Sequence, residues 1–524
     1  MMRTARIALV AGSLGLLAGC ENFLDVNDNP NAPETVSANV YIPPMQHQMA
    51  TGLQLDGRFI GQYTQQWVTV GNTSLNAYDR MGYIAGSDAG GEVWRNVYWM
   101  LGQNLNDMIA KAEAEERWDV LGVGQVMKAW GWQTATGLHG EIIIKEAFDV
   151  TKSSFNYDSQ EFAYEESRRL LDLAIANLQR TDGRVDQAYL GRGDRWYNGD
   201  RQKWLRFAYG LLAMNLNHYS NKASYKPADV IAAVDKSFTS NADDALHTYT
   251  NQSPNNDDVN FLGRTRGNHQ GFRQTRFLVN LMDGTHFGAV DPRMSRMLAP
   301  SPDGQYRGLD VNVVSYGALP VAQRPNNFFG YADAGGLNLP GRYLFDNRAK
   351  MPVMTYSQLQ FVKAEAALRA GQREVALTAY RNAIGAHIDF VNARNNDAGQ
   401  TPTQITAAER AAFLASPSVV PTAANLTLSH IMSQKYIAQW AWGHGELWMD
   451  MRRYHYTDLD PQAGRQVYPG FAIPTSLFPD NNGNPVYRLR PRFNSEYVWN
   501  RPGLDAIGGL DAAYHTKRLW ITEP

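Results

Sequence analysis

One cysteine, Cys20, in 524 residues excludes an intramolecular disulfide and any CxxC metal or redox pair. No apolar run reaches the roughly twenty residues of a membrane-spanning helix. Charge of one sign is also scarce: 49 Lys and Arg against 51 Asp and Glu leave a formal −2, too weak a field to hold a polyanion. Nucleic acid is therefore not an expected partner. No Gly/Ser-rich or Pro-rich linker and no charge block interrupts the chain after its first residues, which favours one large unit over residues 36–524. HExxH, GxSxG and Walker-type motifs are absent too, and Gly12-Ser13-Leu14-Gly15 falls inside the amino-terminal apolar run. The chain is expected not to be an enzyme.

What is present begins at the amino end. Arg3 and Arg6 precede the apolar run 7–17, which ends in Leu17-Ala18-Gly19-Cys20, the layout of an export signal. That ending resembles the bacterial lipoprotein box, in which the cysteine carries a thioether-linked diacylglycerol and an acylated amine. Residues 1–19 are thus expected to be a lipoprotein signal peptide, Cys20 the lipid attachment point, and the Asn- and Pro-punctuated residues 20–35 a lipidated tether. Loss of Arg3 and Arg6 would take the charge from −2 to −4. Each buried methylene contributes about 0.8 kcal/mol, so several acyl chains hold a large domain at a membrane surface.

Apolar residues recur at three- and four-residue spacing over 93–116, 120–139, 161–178, 203–220, 356–370, 374–391 and 428–453, which predicts a mainly α fold with few short strands. Two stretches lack this period, 240–271 and 298–351, and predict long irregular loops. Ala364, Gly371, Ala376, Tyr380 and Ala383 fall on the small, small, small, large, small positions of a tetratricopeptide repeat. Small side chains let the two helices approach, and Tyr380 fills the space between them. Glu365 and Arg369 are expected as an exposed i,i+4 pair on the far face. One such pair cannot bury its own apolar face, so the segments from Asn104, Glu161 and Trp204 are expected to stack with it.

The ordered motifs resemble the SusD/RagB family of outer-membrane nutrient-binding lipoproteins. Gly140-Glu141-Ile142 with Lys145-Glu146-Ala147-Phe148 is similar to the family's "GDIPYSEAF" segment, and Tyr197-Asn198-Gly199-Asp200 with Lys203-Trp204 to its "Y-x-G-D-x-x-K-W" helix start. Asp291-Pro292-Arg293 matches its "DPR" step. Thr355-Tyr356, Gln360-Phe361 and Ala364-Glu365-Ala366 resemble "TYAEVQFILAEA", and Gln434 to Ala438 with Glu446-Leu447-Trp448 and Arg452-Arg453 resembles "QKYIALF…EAW…RR". Ile143-Ile144 in place of Pro-Tyr, and Arg518-Leu519-Trp520 in place of a double Trp, depart from the pattern. The resemblance implies a single SusD-like domain with tetratricopeptide-like helix pairs, anchored at the cell surface of the outer membrane. It also implies an oligosaccharide or peptide ligand, delivered to a SusC-like TonB-dependent barrel transporter without chemistry.

A ligand surface of this kind needs flat rings and polar neighbours on loops. Two loops supply them: Asn72, Tyr78, Arg80 and Tyr83 in the first, Asn327, Phe328, Phe329 and Tyr331 in the second, where glycines are expected to leave the aromatics exposed. Helix-borne Trp94, Trp99, Trp130, Trp132 and Trp204 are expected in the core; Trp67 is open. No cofactor is expected, although Asn256-Asp257-Asp258 permits a structural calcium ion without specifying one. The best catalytic suspects are His444, Glu446 and Asp450, because paired carboxylates suit glycoside hydrolysis, but Arg452 and Arg453 follow and are expected to hold those acids in an ion network. An anchored helical glycoside hydrolase and a tetratricopeptide scaffold for proteins are the alternatives.

Overall fold

A computed structural model describes residues 36–70, 76–250, 258–263, 269–311, 316–329, 341–397 and 404–524. Cys20, Asn72, Tyr331 and the Asn256-Asp257 part of the acidic spot lie outside these. The principal helices are α1 (Ile42–Tyr63), α2 (Gln103–Ala114), α3 (Trp118–His139), α4 (Gln160–Gln179), α5 (Arg201–His218), α6 (Pro227–Asp235), α7 (Tyr356–Arg369), α8 (Arg373–Arg394), α9 (Leu428–Gln439) and α10 (His444–Arg453). Strands are short: β1 (Trp67–Thr69) pairs antiparallel with β3 (Phe272–Gln274), and β2 (Ala245–His247) with β4 (Met351–Met354). The mainly α expectation is met. None of the described helices is long and apolar enough to cross a membrane.

Local chemistry explains the helix starts. The side chains of Ser159, Asp200, Thr355 and Thr427 accept hydrogen bonds from the first free backbone N–H groups of α4, α5, α7 and α9. Beside Asp200, Asp194 takes the Gly199 amide at 3.0 Å and the Trp204 indole N–H at 2.8 Å, so the Tyr-Asn-Gly-Asp…Lys-Trp motif is a folding device.

The tetratricopeptide spacing does what it predicts. α7 and α8 cross closely, with Ala364, Ala376, Ala383 and Tyr380 all fully buried and the Tyr380 hydroxyl donating to Val419 O at 2.8 Å. Gly371 turns the chain between them at φ +73°, a conformation that favours glycine. α7 packs in turn against α5, α6 and α9, so of the three segments expected to stack with the pair only the one from Trp204 does; those from Asn104 (α2) and Glu161 (α4) lie chiefly on α3.

That surrounding overturns one expectation. Glu365 is 0 % exposed, because α7 has helices on both sides and no free face. Its carboxylate accepts from Arg453 at 2.7 and 3.0 Å, from Asn217 at 2.9 Å and from the Tyr454 hydroxyl at 2.6 Å. Arg369 does pair with it at i,i+4, at 3.7 Å, so only the expected exposure fails.

Three further readings are corrected. The 93–116 segment is not one helix: a short turn, Glu92–Arg95, passes into a π-helical stretch, Asn96–Gly102, before α2 begins. That insertion rotates Trp99 out of the core, to 65 % exposure, while Trp94, Trp130, Trp132 and Trp204 are buried as expected. The 428–453 segment is α9 and α10, broken where Ala441 takes φ +71° and gives its N–H to Gln66 Oε1 at 2.9 Å. Trp67 is fully buried against Gly61.

Candidate functional site

The loop after β1 is built from buried polar anchors. Asp79 Oδ2 accepts from Thr69 N at 3.1 Å, and burial raises its carboxyl to about 8. Asp56 on α1 accepts from Gly90 N at 3.0 Å and Val93 N at 2.8 Å, and burial raises it to about 7. Tyr63 donates to Gly82 O at 2.6 Å. Arg80 clamps the loop to the distant 476–478 segment, its Nε donating to Ser476 O at 3.0 Å and its Nη2 to Leu477 O at 2.7 Å. Residues 76–91 are therefore held in one shape over the carboxy-terminal part of the chain.

Between the two lies a cavity of about 280 Å³, near the lower end of the ~300–1,000 Å³ usual for ligand pockets. Tyr83 forms one wall. Its hydroxyl donates to Asp480 Oδ2 at 2.8 Å, and burial with that hydrogen bond raises it to about 12, so the phenol stays protonated. Phe493 and Tyr497 line another part, their rings stacked at 5.5 Å and 19°. Arg490 joins them: its guanidinium carbon lies 4.2 Å from the Tyr83 ring, and Nη1 donates to the Tyr497 hydroxyl at 2.8 Å. Nη2 of the same residue donates to Asp511 O at 2.6 Å, which fixes the fork. His515 closes the floor, pushed down to about 4 by burial and by Arg490 and hence neutral. Half-buried rings with fixed donors and acceptors suit a ligand with apolar faces and hydroxyl edges.

The predicted residues separate into two groups. Tyr78, Arg80 and Tyr83 come together here, Tyr83 as a wall, Tyr78 as an inner packing residue at 3 % exposure and Arg80 as the clamp. Asn327, Phe328 and Phe329 do not join them. Phe328 stacks on Phe345 at 4.4 Å and meets Trp440 edge-on at 5.5 Å, Phe329 meets Phe345 edge-on at 6.3 Å, and all three residues are at most 2 % exposed. The expected exposure of Phe328 and Phe329 is thus corrected: the segment folds back and caps the core. Arg490, Phe493 and Tyr497 were not anticipated, although Arg490-Pro491-Arg492-Phe493 is a basic and aromatic run outside any helical period.

The suspected acids sit elsewhere, and Asp450 is neutralised by two cations. Lys435 Nζ and Arg453 Nη2 donate to Asp450 Oδ1 at 3.0 and 2.7 Å, and His218 Nε2 lies 2.9 Å from Glu446. Burial pushes the Glu446 carboxyl up, but His218 leaves it below its ordinary range. His444 is driven down to about 3 by burial and faces Gln54 at 3.0 Å. Arg452 departs from expectation, pairing instead with the carbonyls of Tyr487 at 2.8 Å and Gly137 at 2.7 Å. Among the described residues no group of three His, Cys, Asp or Glu side chains has metal-site geometry.

Fold and cavity together define a helical, tetratricopeptide-containing protein with a ring-lined pocket. The family model described as starch-binding associating with outer membrane matches residues 30–476, and the chain belongs to this SusD-like family. Solved structures agree on the fold. A SusD/RagB family protein from Bacteroides thetaiotaomicron is 21 % identical, with 93 % of this chain and 99 % of that chain covered at a TM-score of 0.66. A SusD homolog from Bacteroides fragilis is 18 % identical, with 93 % and 100 % covered at 0.70. A chitin-binding SusD homolog from Flavobacterium johnsoniae is 20 % identical, with 93 % and 98 % covered at 0.64. No curated protein sequence matches the chain.

Proposed function

We propose that this chain is a lipoprotein of the outer-membrane surface, anchored through Cys20, that binds an oligosaccharide and passes it intact to a SusC-like TonB-dependent barrel transporter. The observation that carries the reading is the cavity in which Tyr83, Phe493 and Tyr497 surround Arg490. Rings stack on the C–H faces of sugars, and Arg490, its Nη donors spent on Tyr497, Gly509, Asp511 and Ala512, holds the Tyr83 and Tyr497 walls in place without ordering cost on binding. Membership of a family described as starch-binding, and the fold of a chitin-binding homolog, support a glycan over a peptide. Asp450, held by Lys435 and Arg453, weighs against the hydrolase alternative, since a general acid must be free to give up its proton.

Calorimetric titration of the purified chain with a starch oligosaccharide, maltoheptaose, and a chitin oligosaccharide, chitohexaose, tests the reading. Binding of either, weakened in Tyr83→Ala, is expected. Binding of neither overturns it.

A further inference from the structure

The described chain contains two π-helical stretches, Asn96–Gly102 and Phe493–Tyr497, and both line one cleft of about 250 Å³. Single-turn π insertions cost hydrogen-bond geometry and are frequent at functional sites, so their meeting at one place calls for a reason. The first supplies Trp99, which is 65 % exposed, whereas Trp94, Trp130, Trp132 and Trp204 are buried. Arg95 holds that indole from one side, its guanidinium carbon 4.6 Å from the ring centroid. The second supplies Glu496, a side chain 5 % exposed that lines the cleft. Its Oε2 accepts from the Tyr157 hydroxyl at 2.7 Å and from Asn500 Nδ2 at 2.9 Å, while Oε1 carries no hydrogen bond from a described residue. At the rim Arg492 gives Nη2 to Asp88 at 2.7 Å, and its Nη1 has no such partner among the described residues. The rear wall is apolar, from Trp94 and Phe155.

We infer that this cleft is a second ligand site, separate from the Tyr83 cavity, which takes one pyranose ring of a neutral oligosaccharide on the open face of Trp99. A pyranose presents a flat C–H face and an equatorial ring of hydroxyls that both donate and accept. The cleft offers the match: an indole pinned by Arg95, an acceptor at Glu496 Oε1, a donor at Arg492 Nη1 and an apolar wall. Asp88 and Glu92 offset Arg492 and Arg95, at 2.7 and 3.4 Å, and Glu496 adds a further carboxylate, so the cleft has no surplus of positive charge to select an anionic ligand. Two sites on one chain raise the effective concentration of a long chain at each, so a polymer is retained where one sugar unit would leave. This rests on the reading that the protein binds a glycan.

The test is a calorimetric titration of the full mature chain with maltoheptaose and with chitohexaose, on wild type, Trp99→Ala, Trp99→Phe and Tyr83→Ala. Because Trp99 is exposed, both substitutions at that position should leave the melting temperature unchanged. Wild type is expected to bind at two sites. Trp99→Ala is expected to lose one of them, with about a five- to tenfold weakening, Trp99→Phe to lose less, and Tyr83→Ala to affect the other. Wild-type binding that Trp99→Ala leaves unaltered overturns the second site while the proposed function stands. No binding by wild type overturns both.

Discussion

Arg490 lies with its guanidinium carbon 4.2 Å from the ring of Tyr83, although the two are far apart in sequence. The contact joins the 76–91 segment to the last quarter of the chain. One residue thereby positions a ring, a hydroxyl and a cavity wall, because its other donors are spent on Tyr497, Gly509, Asp511 and Ala512. Substitutions at the pair should act on ligand affinity more than on folding.

For Tyr83→Ala the expected loss is about five- to tenfold in affinity, the effect of one stacking platform at roughly 1 kcal/mol. Tyr83→Phe keeps the ring and gives up the Asp480 hydrogen bond, so it should retain most of the binding. Titration calorimetry on the three proteins distinguishes a ring effect from a hydroxyl effect, and equal losses in both variants would contradict stacking.

The Glu365, Arg453 and Asp450 cluster makes a prediction about stability. Arg453→Met leaves two buried carboxylates with a missing partner and should cost about 3–5 kcal/mol, read as a lower denaturant midpoint. A change below about 1 kcal/mol would mean that the network is open to water.

Asp56 makes one about pH. Burial lifts its folded-state value to about 7 from the usual 3.8, so the neutral form is the one the fold accommodates. Its contribution is present in full below the unfolded value and is lost as pH rises from about 4 to about 7. The denaturant midpoint of wild type should therefore fall relative to that of Asp56→Asn across this window. Parallel profiles for the two proteins would contradict it.

Gly61 is required by close approach. A Cβ there would sit 2.4 Å from the buried Trp67 indole, and overpacking of this order costs about 1–3 kcal/mol. Gly61→Ala should lower the melting temperature despite the better helix propensity of alanine; an unchanged or higher value would show that Trp67 moves aside.

Particular residues show what was legible in the sequence. The alanine spacing around Tyr380 is local, and a local rule read it correctly, whereas the caps at Asp200 and Thr355 entered only as parts of family motifs. Glu365 was misplaced because i,i+4 spacing says which residues share a face and not whether another helix covers it. Phe328 and Phe329 were misplaced for the related reason that a glycine-flanked, aperiodic segment folds back on the core as readily as it projects. Trp99 was misplaced because a π insertion breaks the 3.6-residue period on which its burial was read. Within the cavity Tyr83 was legible as a loop aromatic; Arg490, Phe493 and Tyr497 were not, since their role depends on contacts across the whole chain.

The lipid anchor rests on sequence alone. Cys20→Ala expressed in the native host should move from the membrane pellet to the soluble fraction, and retention in the pellet without detergent would contradict attachment at that residue.

The account turns on capture without cleavage. Incubating the purified chain with maltoheptaose or chitohexaose, and measuring binding by calorimetry and product length by chromatography in the same sample, tests it most directly. Saturable binding with the oligosaccharide recovered at full length is the predicted result; shortened products, or no heat of binding with either sugar, would contradict it.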